Sequence, residues 1–262
     1  MLPASNPEEA VFSFVMQVRI LPFGVLKDWL GASTLDLPEG SSVAQLLSQV
    51  GARLAAGPAN LPAATWSSIA VSVNHEYAQP TRILREGDEV GLLPPVSGGA
   101  AQAPGERESA GEIRLTRDPI DAASLVSAAK HGSDGAVVVF DGIVRNNTRG
   151  RQTLHLDYES YEEMALKQMR ELAHDARTRF NVRHVSIIHR LGRLSVGETS
   201  VLIVVASAHR AQAYEASRWL IDTLKRTVPI WKKETFVDGA VWADGEPFPE
   251  NIAAPPPEAP HA

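Results

Sequence analysis

Two lysines seven positions apart, Lys225 and Lys232, lie in the densest chemical segment of the sequence, Leu224-Lys225-Arg226-Thr227-Val228-Pro229-Ile230-Trp231-Lys232-Lys233-Glu234. Pro229 forces Val228 toward extended backbone, so a helix must stop near Thr227 and a strand must follow. A lysine in the last helical turn is electrostatically favoured, and the returning strand brings Lys232 back toward it. Two ammonium groups sharing one space disfavour each other's charged form, which suits either an amine that moves protons or a tight anion site. Two solvated lysines flanking a Trp-anchored turn would leave the same letters. His209-Arg210 directly follows the apolar run Val201 to Ser207 at a strand-to-helix junction, where a helix N-terminus attracts anions. A histidine that merely caps the helix is the alternative. Arg145, in Gly142-Ile143-Val144-Arg145-Asn146, can offer a bidentate fork to phosphate. A second pair, His189-Arg190, ends another apolar run and reads as structural. The run Leu93-Pro94-Pro95-Val96-Ser97-Gly98-Gly99 closes on a diglycine that lacks Cβ atoms and can thread extended into a narrow site. The sequence continues at Ala100, and the start of a linker would also explain the glycines.

The elements that must position these groups fall into two modules. Residues 1–99 read as a small domain: a strand over Val11–Leu21, then a helix with Val43, Leu46, Leu47 and Val50 on one face and Ser41 or Ser42 as N-cap. Ile69–Val73 reads as a strand ending in the turn-like Asn74-His75, and Arg85–Glu89 as a turn feeding a last strand, Val90–Leu93. Pro94-Pro95 then keeps the following residues extended and out of the sheet. Residues 100–111 carry Pro and Gly with no large apolar side chain and read as a flexible linker. Residues 112–246 read as α+β, with Gly135–Phe140, Val185–His189 and Val201–Ser207 as buried strands. Tyr161, Ala165, Met169, Leu172 and Ala176 mark one helix, and Ala213, Ala216, Leu220 and Leu224 the inner face of another. Residues 247–262 hold six prolines and read as a disordered tail.

Composition narrows the chemistry. The 262 residues include no cysteine, so disulfides, thiolate metal sites and a persulfide on this chain are excluded. Scattered histidines without close carboxylates make no credible metal site. No apolar run approaches a membrane span, and Glu8 and Glu9 with no basic n-region do not resemble a signal peptide, so a cytoplasmic protein is expected. A net charge of −6 argues against bulk nucleic-acid binding. The charge is uneven: residues 1–99 hold 5 basic and 9 acidic side chains, residues 142–233 hold 16 and 9. An acidic module joined to one with a basic centre points to mutual docking or to a small anionic substrate.

Taken in series, these motifs resemble molybdopterin synthase. Residues 16–99 resemble its small sulfur-carrier subunit through Val73-Asn74, Glu86-Gly87-Asp88-Glu89-Val90 and Pro94-Pro95-Val96-Ser97-Gly98-Gly99. Residues 112–246 resemble its large catalytic subunit through Gly135-Ala136-Val137, Gly142-Ile143-Val144-Arg145-Asn146, Ile188-His189-Arg190-Leu191-Gly192, Ser207-Ala208-His209-Arg210, Leu224-Lys225 and Pro229-Ile230-Trp231-Lys232-Lys233-Glu234. The resemblance implies an α+β chain: a ubiquitin-like β-grasp domain followed by an α/β hammerhead-type catalytic domain. It implies a sulfurtransferase that uses a thiocarboxylate on Gly99, formed by a separate adenylating and sulfur-loading enzyme, to sulfurate cyclic pyranopterin monophosphate. Two charged carriers are consumed per product. Catalytic roles fall on Lys225, Lys232 and Gly99, and substrate binding on Ile143, Val144, Arg145, His209, Arg210, Lys225, Lys232, Lys233 and Glu234. The family often has a basic residue where Ile143 stands, so a phosphate contact there would come from backbone. A homodimer through the catalytic domain is implied, with no cofactor, metal, nucleic acid or membrane.

The fusion departs from the family pattern, because an internal Gly99 has no free carboxylate. Thiocarboxylate chemistry then requires cleavage between Gly99 and Ala100. A non-catalytic fused scaffold, or a different ubiquitin-like sulfur carrier of the thiazole-synthesis type joined to a partner, are the competing readings. The second accounts for Gly98-Gly99 but not for Lys225 and Lys232.

Overall fold

The computed structural model describes residues 15–55, 66, 68–95 and 111–243. Gly98, Gly99, most of the expected linker and the proline-rich tail lie outside these residues. So do positions 11–14 of the first expected strand.

β1 (Val15–Pro22) alternates exposed and buried positions, sending Met16, Val18 and Ile20 inward. It pairs antiparallel with β2 (Ser33–Pro38) and parallel with β5 (Glu89–Leu93). β5 pairs antiparallel with β3 (Ala70–Val73), which turns back into β4 (Glu76–Tyr77), giving the order β2-β1-β5-β3-β4. Asn74 and His75 make that turn at φ 52° and 64°, the left-handed pair that a two-residue hairpin needs. Helix α1 (Val43–Ala55) lays Val43, Leu46 and Val50 against the sheet. Ser42 and Gln45 start it reciprocally: the Ser42 N–H donates to Gln45 Oε1 at 2.8 Å and the Gln45 N–H to Ser42 Oγ at 3.4 Å. This is a β-grasp domain.

The second sheet has the order β6-β10-β12-β7, from Ile113–Thr116, His184–Arg190, Thr199–Ser207 and Ala136–Ile143. Val185, Ile187, Val201, Ile203 and Val205 face α3 (Glu162–Phe180) and α4 (Arg210–Thr227). Ile188, Leu202 and Val204 face the short α2 (Ala122–Ala129), so β10 and β12 are buried on both sides. β7 differs from the expectation of a buried strand. It is the sheet's edge, with one neighbour, and it exposes Val139 at 41% and Ile143 at 55%. A third sheet, β11-β9-β13-β14, combines Gly192–Ser195, Arg151–Ser160, Ile230–Phe236 and Gly239–Trp242, with β8 (Asn147–Thr148) paired to β9. α4 ends at Thr227, as Pro229 requires, with Val228 at φ −80° and ψ 125°.

The two domains meet through aromatic rings. Phe23 stacks on Tyr161 with centroids 4.5 Å apart and on Trp231 at 5.5 Å, beside Ala70, Leu93 and Met164. Tyr77 Oη donates to the Thr227 carbonyl at 2.9 Å, and Trp231 Nε1 donates to the Pro94 carbonyl at 3.0 Å. Tyr161 Oη donates to Glu89; burial and that carboxylate push the phenol well above its ordinary range. Charged pairs ring the contact in both senses, Lys27 with Glu159 and Glu76 with Lys167, and His75 Nε2 lies 3.1 Å from Glu163 and 3.3 Å from Glu89. Docking therefore rests on an apolar aromatic core rather than on the opposite net charges of the modules.

Candidate active site

A cavity of about 400 Å³ opens between the second and third sheets and α4. Its floor is a row across three strands, His189 opposite Val201 and Val201 opposite Gly142. A Cβ on Gly142 would stand 2.7 Å from Val201 Cγ1 and 3.2 Å from the Phe140 ring, so only glycine leaves the floor open there. The opposite wall is one face of the β9–β13 ribbon, where Tyr158 pairs with Lys232 and Leu156 with Glu234. Ile221, Leu224 and Lys225 come from one stripe of α4, and Ile143, Arg145 and Thr148 line the cavity from β7 and the residues that follow it.

The charges sort by position. Lys232 Nζ lies 3.0 Å from Glu234 Oε1; the Glu234 side chain is 4% exposed, and its Oε2 has no hydrogen-bond partner. Lys225 and Arg145 are exposed, and neither pairs with a carboxylate among the described residues. The cavity thus presents three cations against one carboxylate, which suits a polyanionic ligand or a developing oxyanion.

His189 belongs to this cavity and not only to the fold. It is buried, its Nδ1–H donates to the Arg190 carbonyl at 2.9 Å, and its ring meets Tyr158 edge-on at 5.2 Å. Burial pushes the imidazole down to about 4, so it is neutral at pH 7. Arg190 is structural as expected, holding Glu198 at 2.7 Å and the Arg117 carbonyl.

Of the residues singled out in the sequence, Ile143, Arg145, Lys225, Lys232 and Glu234 line the cavity. Val144 does not: it is buried with Leu156 and Leu194, and its N–H bonds Glu198. Lys233 points to the other face of β13, over Trp242. His209 and Arg210 are exposed at the start of α4, and His209 makes no side-chain cap. They lie beyond Ser207, which pairs with Ala136 at the opposite end of β7 from Ile143. Gly99 lies outside the described residues. His189, Tyr158 and Phe140 are cavity residues that the sequence reading missed; the strand alternation that puts His189 on the same face as Ile187 was the available signal.

A ubiquitin-like domain docks on an α+β domain that holds a cationic cavity, and Pro94, just past its last strand, is bonded by Trp231 of the ribbon that walls the cavity. Comparison with known proteins gives the same division. The family model described as MoaE protein matches residues 115–227, and that of the ThiS family matches residues 20–99. The molybdopterin synthase catalytic subunit of Culex quinquefasciatus is 44% identical over 128 residues, 48% of this chain and 82% of that protein. The subunit of the same description from Pyrococcus abyssi is 39% identical over 140 residues, 52% of this chain and 93% of that protein. The crystal structure of molybdopterin synthase from Staphylococcus aureus is 37% identical, covering 50% of this chain and 96% of that one with a TM-score of 0.48. The chain belongs to the molybdopterin synthase catalytic subunit family, a family of molybdenum cofactor biosynthesis, and carries a ThiS-family domain ahead of it.

Proposed function

We propose that the chain is a fused molybdopterin synthase that transfers sulfur from a Gly99 thiocarboxylate to cyclic pyranopterin monophosphate. The observation that carries this reading is the adjacency of anchor and site. Trp231 holds the Pro94 carbonyl, and its neighbour Lys232 faces the cavity. Pro95 to Gly99 are five residues, about 17 Å of extended chain, the length available to carry a terminal carbonyl from that anchor round the ribbon to the cavity. Lys225 and Lys232 then stabilise the oxyanion that forms at Gly99, with Glu234 holding Lys232 in place, and Arg145 takes the phosphate.

Length does not demand cleavage. Gly111 packs against the Val185 backbone, four positions along β10 from His189, and the residues between Gly99 and Gly111 span that distance easily when extended. Chemistry does demand it, because an amide at Gly99 leaves no carboxylate to load with sulfur. Intact mass of the chain from its host is expected to show fragments ending at Gly99 and starting at Ala100, the first with one oxygen replaced by sulfur. Full turnover by an Ala100→Pro chain that stays uncut would refute the cleavage step.

The open β7 edge supports pairing with a second copy. Antiparallel pairing of two β7 strands sets the Ala136 end of one beside the Ile143 end of the other. His209 and Arg210, next to the first end, then reach the cavity at the second. Mixing Arg210→Ala and Lys225→Ala chains is expected to restore activity in a fraction of mixed dimers; no restoration would show that each cavity is completed within its own chain.

A further inference from the structure

The cavity has an acceptor that the sulfur-transfer reading does not use. His189 commits its Nδ1 proton to the Arg190 carbonyl, so the lone pair sits on Nε2, and among the described residues no group bonds it. The ring is fixed on both sides, by that hydrogen bond and by Tyr158, so it cannot turn to offer a donor instead. Glu234 Oε2, on the facing ribbon, is a buried acceptor without a partner. His189 lines the cavity, so its acceptor is placed to take a hydrogen from a bound ligand, and Glu234 Oε2 stays costly until it does the same. The surroundings say what kind. Phe140, Tyr158 and Val201 are flat or apolar neighbours that suit a planar ring system. Lys232 pairs with Tyr158 and flanks this end of the cavity, whereas Arg145 follows β7, two strands from β10 across the sheet, and adjacent strands are about 4.8 Å apart. The His189 and Arg145 backbones are therefore about 10 Å or more apart, which leaves room between them for a fused-ring substrate with phosphate at one end.

We propose that His189 Nε2 accepts an N–H from the pyrimidine edge of the bound pterin and so fixes which way round the substrate lies, with its phosphate toward Arg145. This rests on the substrate proposed above. His189 is a positioning residue: no proton transfer in the sulfur step is assigned to it. A neutral imidazole is needed for the role, and the burial that keeps it unprotonated supplies one.

The full chain is titrated with cyclic pyranopterin monophosphate and, separately, with inorganic phosphate. His189→Phe keeps a ring without the acceptor, and His189→Gln restores a polar group near the Nε2 position. His189→Phe is expected to weaken the pterin about tenfold or more while leaving inorganic phosphate unchanged, and His189→Gln to recover most of the loss. In the wild-type chain, the ¹⁵N resonance of Nε2 is expected to move toward that of a hydrogen-bonded acceptor on saturation, a readout independent of any variant's folding. Wild-type binding of the pterin with an unmoved Nε2 resonance, and with His189→Phe binding within about twofold, overturns this inference alone. Failure of the wild-type chain to bind the pterin at all overturns the proposed substrate, and this inference with it.

Discussion

Removing the Phe23 ring should free the carrier domain from the catalytic domain. The ring is half-buried, so truncation to alanine loses about 1–2 kcal/mol of burial. It also loses the stacks on Tyr161 and Trp231, each worth about 0.5–1.5 kcal/mol beyond area. The sum, about 2–5 kcal/mol, corresponds to a docking constant weakened by about thirtyfold to several thousandfold. The covalent tether hides much of this in the intact chain, since it makes docking intramolecular at an effective concentration of about millimolar. The assay therefore needs a protease site placed within residues 100–110, cleavage after purification, and calorimetric titration of the two halves with circular dichroism as a check on folding. Phe23→Ala combined with Tyr161→Leu should show a coupling of about 0.5–1.5 kcal/mol. A change of less than about threefold in the docking constant of Phe23→Ala would refute the claim that the aromatic stack holds the domains together.

Four further outcomes are expected. Gly91→Ala puts a Cβ 2.4 Å from Ser72 Oγ and 3.3 Å from the Tyr161 ring, so it should loosen docking in the same titration, by about 1–3 kcal/mol; adding Ser72→Ala should recover part of the loss. Lys225→Ala should fold with an unchanged melting curve, while Lys232→Ala leaves the buried Glu234 carboxylate unpaired and should melt lower; both should form less than about a hundredth of the product in an anaerobic conversion assay. Glu234→Gln, which removes the partner 3.0 Å from Lys232, should lower turnover more than substrate affinity, as separate kcat and KM values would show. Acid should destabilise the protein through His189: burial holds its imidazole down at about 4 when folded, below the ordinary 6.5 of a free histidine, so the unfolded chain takes the proton first. Stability present above pH 6.5 is then lost as the pH falls toward 4, levelling at about 3 kcal/mol. His184, also lowered by burial, adds in the same direction. Urea midpoints between pH 7 and 4 should fall less steeply for His189→Gln, and parallel curves would contradict the assignment.

Local signals were strong where one residue's chemistry dictates its neighbours' backbone. Pro229 ends α4 and starts β13, so Lys225 and Lys232 were legible as a pair. Asn74-His75 was legible as a turn, and Ser41 or Ser42 as a cap, of which Ser42 takes the role. What failed to show was whatever depends on pairing between distant strands. Gly135–Phe140 has the apolar run of a central strand, yet it lies at an edge, because nothing in the run itself states how many neighbours it has. His189 looked structural because its cavity is closed by Tyr158, from a strand that the sequence reading did not pick out although Leu154 to Glu159 alternates apolar and polar. The docking face was invisible for the same reason: Phe23, Tyr77, Tyr161 and Trp231 are scattered over most of the chain and converge only when both sheets have formed. His209 and Arg210 were picked correctly as a strand-to-helix pair, but their distance from the cavity of their own chain is a matter of sheet register.

The stacked Phe23, Tyr161 and Trp231 rings also have a kinetic meaning. A carrier that is resident by virtue of that contact supplies one sulfur per cavity, whereas the proposed product takes two. After the first transfer the spent carrier, cut free of the linker at Gly99, still fills the dock until it dissociates, and a freshly loaded one must wait for that. The strength of three aromatic rings would then set the interval between the first sulfur and the second, and the tightest dock would make the slowest synthase.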